Sequence, residues 1–186
     1  MESRPVKAVN PPAPYIGGKR NLAERIIPII ESVPHNTYVE PFIGMGGIFF
    51  RRSEAPKVEV INDISRDVIT LFRVLQEHYP HFIDFLKFRL TSRVEFDRLM
   101  QVDPDTLTDF QRAGRFLYLQ KTAYGGKVHG RNFGVSPGRP GRFDVSSIVA
   151  ELEDIHARLS AMPLFPMQPH CRNHPHEPFW APCGYL

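Results

Sequence analysis

The chain has 186 residues and a mass of 21.3 kDa, enough for one domain, or one domain with an inserted subdomain. With 42% hydrophobic and 11% aromatic residues it can bury a core, which excludes wholesale disorder, and no apolar run approaches the roughly 20 residues that span a bilayer. The net charge of +3 permits an anionic partner without demanding one, and two cysteines, Cys171 and Cys183, make no disulfide framework. Met1 to Pro14 lacks the apolar core of a signal peptide, so a cytoplasmic protein is expected.

The first ordered unit is Pro14-Tyr15-Ile16-Gly17-Gly18-Lys19. Leu22, Ile26, Ile27, Ile29 and Ile30 then fall on one helical face, and Pro34 closes that helix. Thr37 to Glu40 reads as a short strand, followed by a glycine-rich turn from Pro41 to Gly47 and a helix or tight connection from Ile48. Lys57 to Asp63 is a second strand that ends in an acid, and Asp67 to Tyr79 is an amphipathic helix with Val68, Leu71, Phe72 and Leu75 inward. From about Pro80 to Leu119 the pattern is helical. One stripe holds Phe82, Phe85 and Leu86; another holds Phe110, Ala113, Phe116, Leu117 and Leu119. Lys121 to Asp144 is glycine-rich and reads as a loop or irregular hairpin, and Ser147 to Leu159 returns to helix. No internal repeat is visible. Strand, glycine loop, helix, strand with a terminal acid, helix is the opening half of a doubly wound α/β sheet.

Glycines between a buried strand and a helix let the backbone approach a ligand closely. Gly44-Met45-Gly46-Gly47, followed by Asp63 at the end of the next strand, suits an adenosine-type cofactor. Glu40-Pro41 before the loop argues against a dinucleotide and its pyrophosphate. An acid there complements a cationic amine, which S-adenosylmethionine carries. Tyr15 offers a face for adenine, and Lys19 beside two glycines can reach a carboxylate. Gly17-Gly18-Lys19 is no P-loop: the upstream glycine is missing, and Arg20 stands where a Ser or Thr would hold Mg²⁺. The bland alternative is that Glu40 and Asp63 cap loops and the glycines make turns. Taken together in this order, the residues favour the cofactor site.

These blocks together resemble the Dam-type (D12 class) DNA adenine-N6 methyltransferases. The aromatic-x-Gly-Gly-Lys block is Tyr15-Ile16-Gly17-Gly18-Lys19, and the cofactor loop is Tyr38-Val39-Glu40-Pro41-Phe42-Ile43-Gly44-Met45-Gly46. The strand end is Ile61-Asn62-Asp63-Ile64, and the middle region carries Phe116-Leu117-Tyr118-Leu119, Tyr124-Gly125-Gly126 and Arg131-Asn132-Phe133-Gly134-Val135. The resemblance covers roughly residues 10 to 160 and implies a fold. This is a Rossmann-like, S-adenosylmethionine-dependent methyltransferase core, incomplete here, with an inserted and mainly helical DNA-recognition subdomain. Residues 1–79 would form the N-terminal part of the core, 80–145 the insertion and 146–161 the return to the core.

The resemblance also implies roles. Tyr15, Lys19, Glu40, Gly44 and Gly46 would line the cofactor, and Asp63 would hold the ribose hydroxyls. Lys121, Lys127, Arg131, Asn132, Arg139 and Arg142, with His129, would meet double-stranded DNA. Enzymes of this kind flip the target adenine out of the duplex. Their catalytic Asp-Pro-Pro-Tyr tetrad is absent from this sequence: Asp103-Pro104-Asp105 lacks the second proline and the aromatic, and no aspartate follows Asp154. No catalytic residue is therefore assigned, and the chain is expected to be catalytically impaired. The rivals are a non-catalytic DNA-binding remnant and a nucleotide-dependent oxidoreductase.

The last segment, 162–186, is of another kind. Prolines at 163, 166, 169, 175, 178 and 182 oppose helix and strand. His170, Cys171, His174, His176 and Cys183 fit no standard zinc spacing, so no metal is expected. Out-of-frame translation from near Ser160 to Met162 accounts for this composition. Shifting the frame back by one base permits Leu-Pro-Tyr-Ala-Ala at Leu164 to Gln168 and Gly-Thr-Leu-Trp-Leu near the end, which are runs the resembling family carries before its tetrad.

Overall fold

The computed structural model describes residues 3–135 and 143–162. Among these, four strands and six α-helices follow the chain. They are β1 (Arg4–Pro5), α1 (Arg20–Ser32), β2 (Thr37–Glu40), β3 (Glu54–Ala55), β4 (Val58–Ile61), α2 (Arg66–Glu77), α3 (Tyr79–Leu86), α4 (Arg93–Gln101), α5 (Asp109–Thr122) and α6 (Val145–Ser160). β2 and β4 pair in parallel, Thr37 opposite Val58 through Glu40 opposite Ile61, and β1 pairs antiparallel with β3. The two expected strands and the glycine loop between them are therefore present. The β1–β3 ladder was not expected: two residues a side, one of them Pro5, leave no alternation to read.

The helices form where local signals and apolar spacing agree. Thr108 and Gln111 close a capping box on α5, and Asp144 accepts from the backbone N–H groups of Ser146 and Ser147 to start α6. Val68, Leu71, Phe72 and Leu75 recur at helical spacing on α2 and are fully buried. α2 lies at the centre, packed against α3, α5 and α6. Phe82, Leu86, Ala113, Phe116, Leu117 and Leu119 join the same core as Ile43, Met45, Phe49 and Phe50 of the glycine-loop segment. Of the stretch Lys121 to Asp144, expected as a loop or irregular hairpin, Lys121 and Thr122 belong to α5, and residues 123–135 form a hairpin, with Ala123 bridging Phe133 and Gly134 N–H donating to the Thr122 carbonyl at 2.8 Å.

One face of the β2–β4 pair is closed by charge. Glu59 Oε1 accepts from Arg52 Nη1 at 3.0 Å and from Arg158 Nη2 at 2.7 Å, and all three side chains are buried. The two guanidiniums also lie 4.1 Å from the ring centres of Tyr38 and Phe49 respectively. The cluster ties α6, β4, β2 and the turn at Phe49–Arg51 together.

α1 departs from expectation. Its apolar face, read as core from Leu22, Ile26, Ile27, Ile29 and Ile30, is covered only in part among the described residues: Ile26, Ile27 and Ile30 are half-buried. Only Ala23 is buried, while Leu22 and Ile29 are 51% and 64% exposed. Periodicity locates an apolar face but does not supply the surface that covers it.

Candidate functional site

The loop after β2 is held by both strands. Asn62 N–H donates to the Glu40 carbonyl at 3.0 Å, and Ile43 N–H returns a bond to the Asn62 carbonyl at 2.9 Å. Gly44 and Gly46 both take positive φ, 54° and 74°. At Gly46 a Cβ would also stand 2.2 Å from Phe50 Cδ2, so both backbone angle and space require glycine. Asp63 fixes the loop from the neighbouring strand: Oδ2 accepts from Gly44 N–H and Oδ1 from Ser65 N–H, each at 2.8 Å.

Glu40 is buried at the base of the loop. Tyr38, on the same strand face two residues earlier, donates its hydroxyl to Oε2 at 2.9 Å. Lys19 Nζ stands 3.4 Å from Oε1 and 3.2 Å from the Phe42 carbonyl oxygen. Burial pushes the Glu40 carboxyl above the ordinary carboxylate range, against the opposing pull of Tyr38 and Lys19. Tyr38 is likewise raised, first by burial and then by Glu40. A carboxylate and a carbonyl thus converge on one ammonium group.

Tyr15 lies over the loop, its ring within 3.3 Å of where a Cβ at Gly44 would be. Burial, with Asp63 nearby, raises its phenol above the usual value. Gln120, absent from the sequence reading, and Gly126, named there only within a glycine turn, hold it there. Gln120 Nε2 donates to the carbonyls of Pro14 and Gly126, each at 2.6 Å, and Ile16 N–H donates to the Gly126 carbonyl at 3.0 Å. A Cβ on Gly126 would meet the Pro14 carbonyl at 2.8 Å. The available signal was a glutamine inside the apolar stripe of α5, next to a Gly-Gly turn.

The residues assigned to DNA divide. Lys121 pairs with Glu151 of α6. Arg131 turns inward: Nε donates to the Lys127 carbonyl at 3.1 Å and Nη2 to Gln120 Oε1 at 3.3 Å. Burial, together with Arg115, lowers the pKa of Arg131. Lys127 is half-buried, while Asn132 and His129 are exposed. Arg139 and Arg142 lie outside the described residues, as does the segment 163–186. Asp103-Pro104-Asp105 forms a 3-10 turn. Asp103 accepts from Asp105 N–H, and Asp105 pairs with Arg66 and Arg112. No group of three or more potential metal ligands occurs among the described residues, and no helix among them is long and apolar enough to cross a membrane.

The family model of the D12 class N6 adenine-specific DNA methyltransferases matches residues 15–134, from Tyr15 at the glycine loop to Gly134 at the end of the hairpin. The chain belongs to that family. It is 31% identical over 134 residues to type II methyltransferase M1.LlaDCHI of Lactococcus lactis subsp. cremoris, covering 67% of this chain and 46% of that protein. It is 26% identical over 147 residues to type II methyltransferase M.CviBI of Paramecium bursaria Chlorella virus NC1A, covering 77% of this chain and 55% of that protein. The chain spans about half the length of the curated relatives it matches. The D12 match contains all six residues assigned to the cofactor and the first four assigned to DNA.

Proposed function

We propose that the chain binds S-adenosylmethionine at the Glu40–Gly46 loop as part of a methyltransferase acting on adenine N6 in double-stranded DNA. The observation that carries this reading is the pair of acceptors, Glu40 and the Phe42 carbonyl, that already hold the Lys19 ammonium. The same pair suits the amino group of the cofactor. Tyr15 would stack on the adenine, and Asp63, whose carboxylate keeps lone pairs beyond those used by Gly44 and Ser65, would take the ribose hydroxyls. When bound, the cofactor supplies an electrophilic methyl group on its sulfonium. The chain's own residues bind and orient it.

In this reading β2, β4 and α2 belong to a Rossmann-like core, residues 80–145 to an inserted DNA-recognition subdomain and residues 146–161 to the return. Lys127, Asn132 and His129 are the described groups free to face a duplex, with Arg139 and Arg142 beyond them. Lys121 and Arg131 would act by shaping the loop, or would reach DNA only by giving up their present partners.

The chain alone is expected to transfer little or no methyl, because the sequence contains no Asp-Pro-Pro-aromatic to orient the adenine amino group. That absence favours a second reading, DNA binding without transfer. The test is calorimetry with S-adenosylmethionine, then incubation with labelled cofactor and duplex DNA. Absence of cofactor binding sinks the first reading. Robust adenine methylation sinks the claim of impairment. A salt-dependent mobility shift without transfer supports the second reading.

A further inference from the structure

Lys19 stands where the amine of a ligand would stand. Its Nζ lies 3.4 Å from Glu40 Oε1 and 3.2 Å from the Phe42 carbonyl oxygen. The Tyr38 hydroxyl takes the other oxygen of Glu40, Oε2, at 2.9 Å. A buried carboxylate keeps its charge only with a cation or donors beside it, and Lys19 is that cation here.

Two features make the lysine exchangeable. Its side chain is 42% exposed while that of Glu40 is 7% exposed, so the ammonium can leave toward water without opening the core. Its backbone is fixed on both sides. Leu22 N–H donates to the Lys19 carbonyl at 3.1 Å, Gly18 N–H to the Tyr15 carbonyl at 3.0 Å, and a Cβ on Gly47 would stand 3.3 Å from the Lys19 nitrogen. Exchange is then a change of side-chain rotamer alone, made by a compact ammonium on a flexible four-carbon stem.

We propose that Lys19 is a specificity-determining residue of this site: its ammonium holds the amine position in the free chain and gives way favourably only to a ligand that carries both an amine and a carboxylate. An incoming amine replaces one ammonium by another on Glu40 and Phe42, so that contact alone gains little. The displaced lysine needs an anion, and a carboxylate on the same ligand provides it. A ligand with the amine but no carboxylate expels Lys19 into water without return. A ligand with neither group leaves Lys19 in place. The inference rests on the cofactor reading and assigns how the amino-acid end of that ligand is read.

Three probes separate the cases: S-adenosylmethionine, its decarboxylated form, which keeps the amine alone, and methylthioadenosine, which has neither group. Calorimetry on the native chain and on Lys19→Met should show methylthioadenosine indifferent to the substitution and the decarboxylated probe bound about tenfold tighter by the variant. The preference for S-adenosylmethionine over the decarboxylated probe should shrink by about the same factor or more. If Lys19→Met fails to fold, the native chain still decides. Acetic anhydride labelling, read by mass spectrometry, should modify Lys19 faster with the decarboxylated probe at saturation than in the free chain. Unchanged or weaker binding of that probe by a folded Lys19→Met protein overturns the inference, as does labelling of Lys19 that ignores the probe. If none of the three probes binds the native chain, the cofactor reading falls and this inference with it. If all three bind without regard to Lys19, only this inference falls.

Discussion

The backbone N–H of Gly44 donates to Asp63 Oδ2 at 2.8 Å, which locks the glycine loop to the end of the neighbouring strand. Asp63 therefore has a structural task even without a ligand. Asp63→Ala leaves two backbone donors to water in a half-buried site, a cost of about 1 kcal/mol, or a fall in Tm of about 2–4 °C. On the proposed function, S-adenosylmethionine affinity should fall further, by about tenfold or more, because the loop tie and the proposed ribose contact go together. Calorimetry beside thermal melting separates the two. Equal small losses in both would leave Asp63 as a loop tie only.

Glu40 sets a pH dependence. Its folded-state pKa is raised by burial, so the folded chain holds the proton more tightly than the unfolded one. Stability from this group falls as pH rises from the ordinary carboxylate value through the raised one, where the buried side chain must ionise. Cofactor binding runs the other way, since only the carboxylate attracts an ammonium. Affinity for S-adenosylmethionine should therefore decline as pH drops through the raised pKa. Glu40→Gln should remove that step, abolish tight binding and raise Tm by about 2–4 °C for each kcal/mol regained. A Glu40→Gln protein that melts earlier than the parent would contradict this.

Gly46→Ala should be among the most damaging small substitutions. The methyl group meets the Phe50 ring 2.2 Å away, and the φ of 74° disfavours any side chain. Strain and overpacking together amount to about 2–4 kcal/mol. Urea unfolding measures this directly, and a shift below about 1 kcal/mol would show that the loop can rearrange.

The Arg52–Glu59–Arg158 cluster gives a contrast between breaking and replacing. Arg158→Ala leaves buried Glu59 with one partner in place of two, which costs about 3–5 kcal/mol and unfolds a marginal domain. Arg52→Met, Glu59→Leu and Arg158→Met combined should recover most of that loss. Denaturant midpoints of the two proteins decide: equal destabilisation would mean that the charges themselves are needed.

Much of this was legible in the sequence because the signals are local. The alternation at Thr37–Glu40 and Val58–Ile61, the Glu-Pro-Phe step and the terminal acid place the loop, and the structure brings Tyr15, Lys19, Glu40, Gly44, Gly46 and Asp63 together. What was not legible depends on partners far along the chain. Leu22 and Ile29 look like core because apolar period is all a sequence offers, yet nothing described covers them. Lys121 and Arg131 look like phosphate contacts because a basic loop gives no direction. One meets Glu151 and the other folds back over Gln120. Gln120 itself was invisible as a site residue, since its role depends on two carbonyls that only the fold brings within reach.

The amide of Gln120 has a wider consequence. Its nitrogen is bonded to Pro14 on the side that carries Tyr15 and to Gly126 on the hairpin that leads to Asn132. The aromatic platform and the outward-facing hairpin are thus built as a single rigid bracket. A change in the hairpin that moves the Gly126 carbonyl must shift the tyrosine segment with it. The tip between Lys127 and Asn132 lies outside these ties, so substitutions there leave the Tyr15 segment in place.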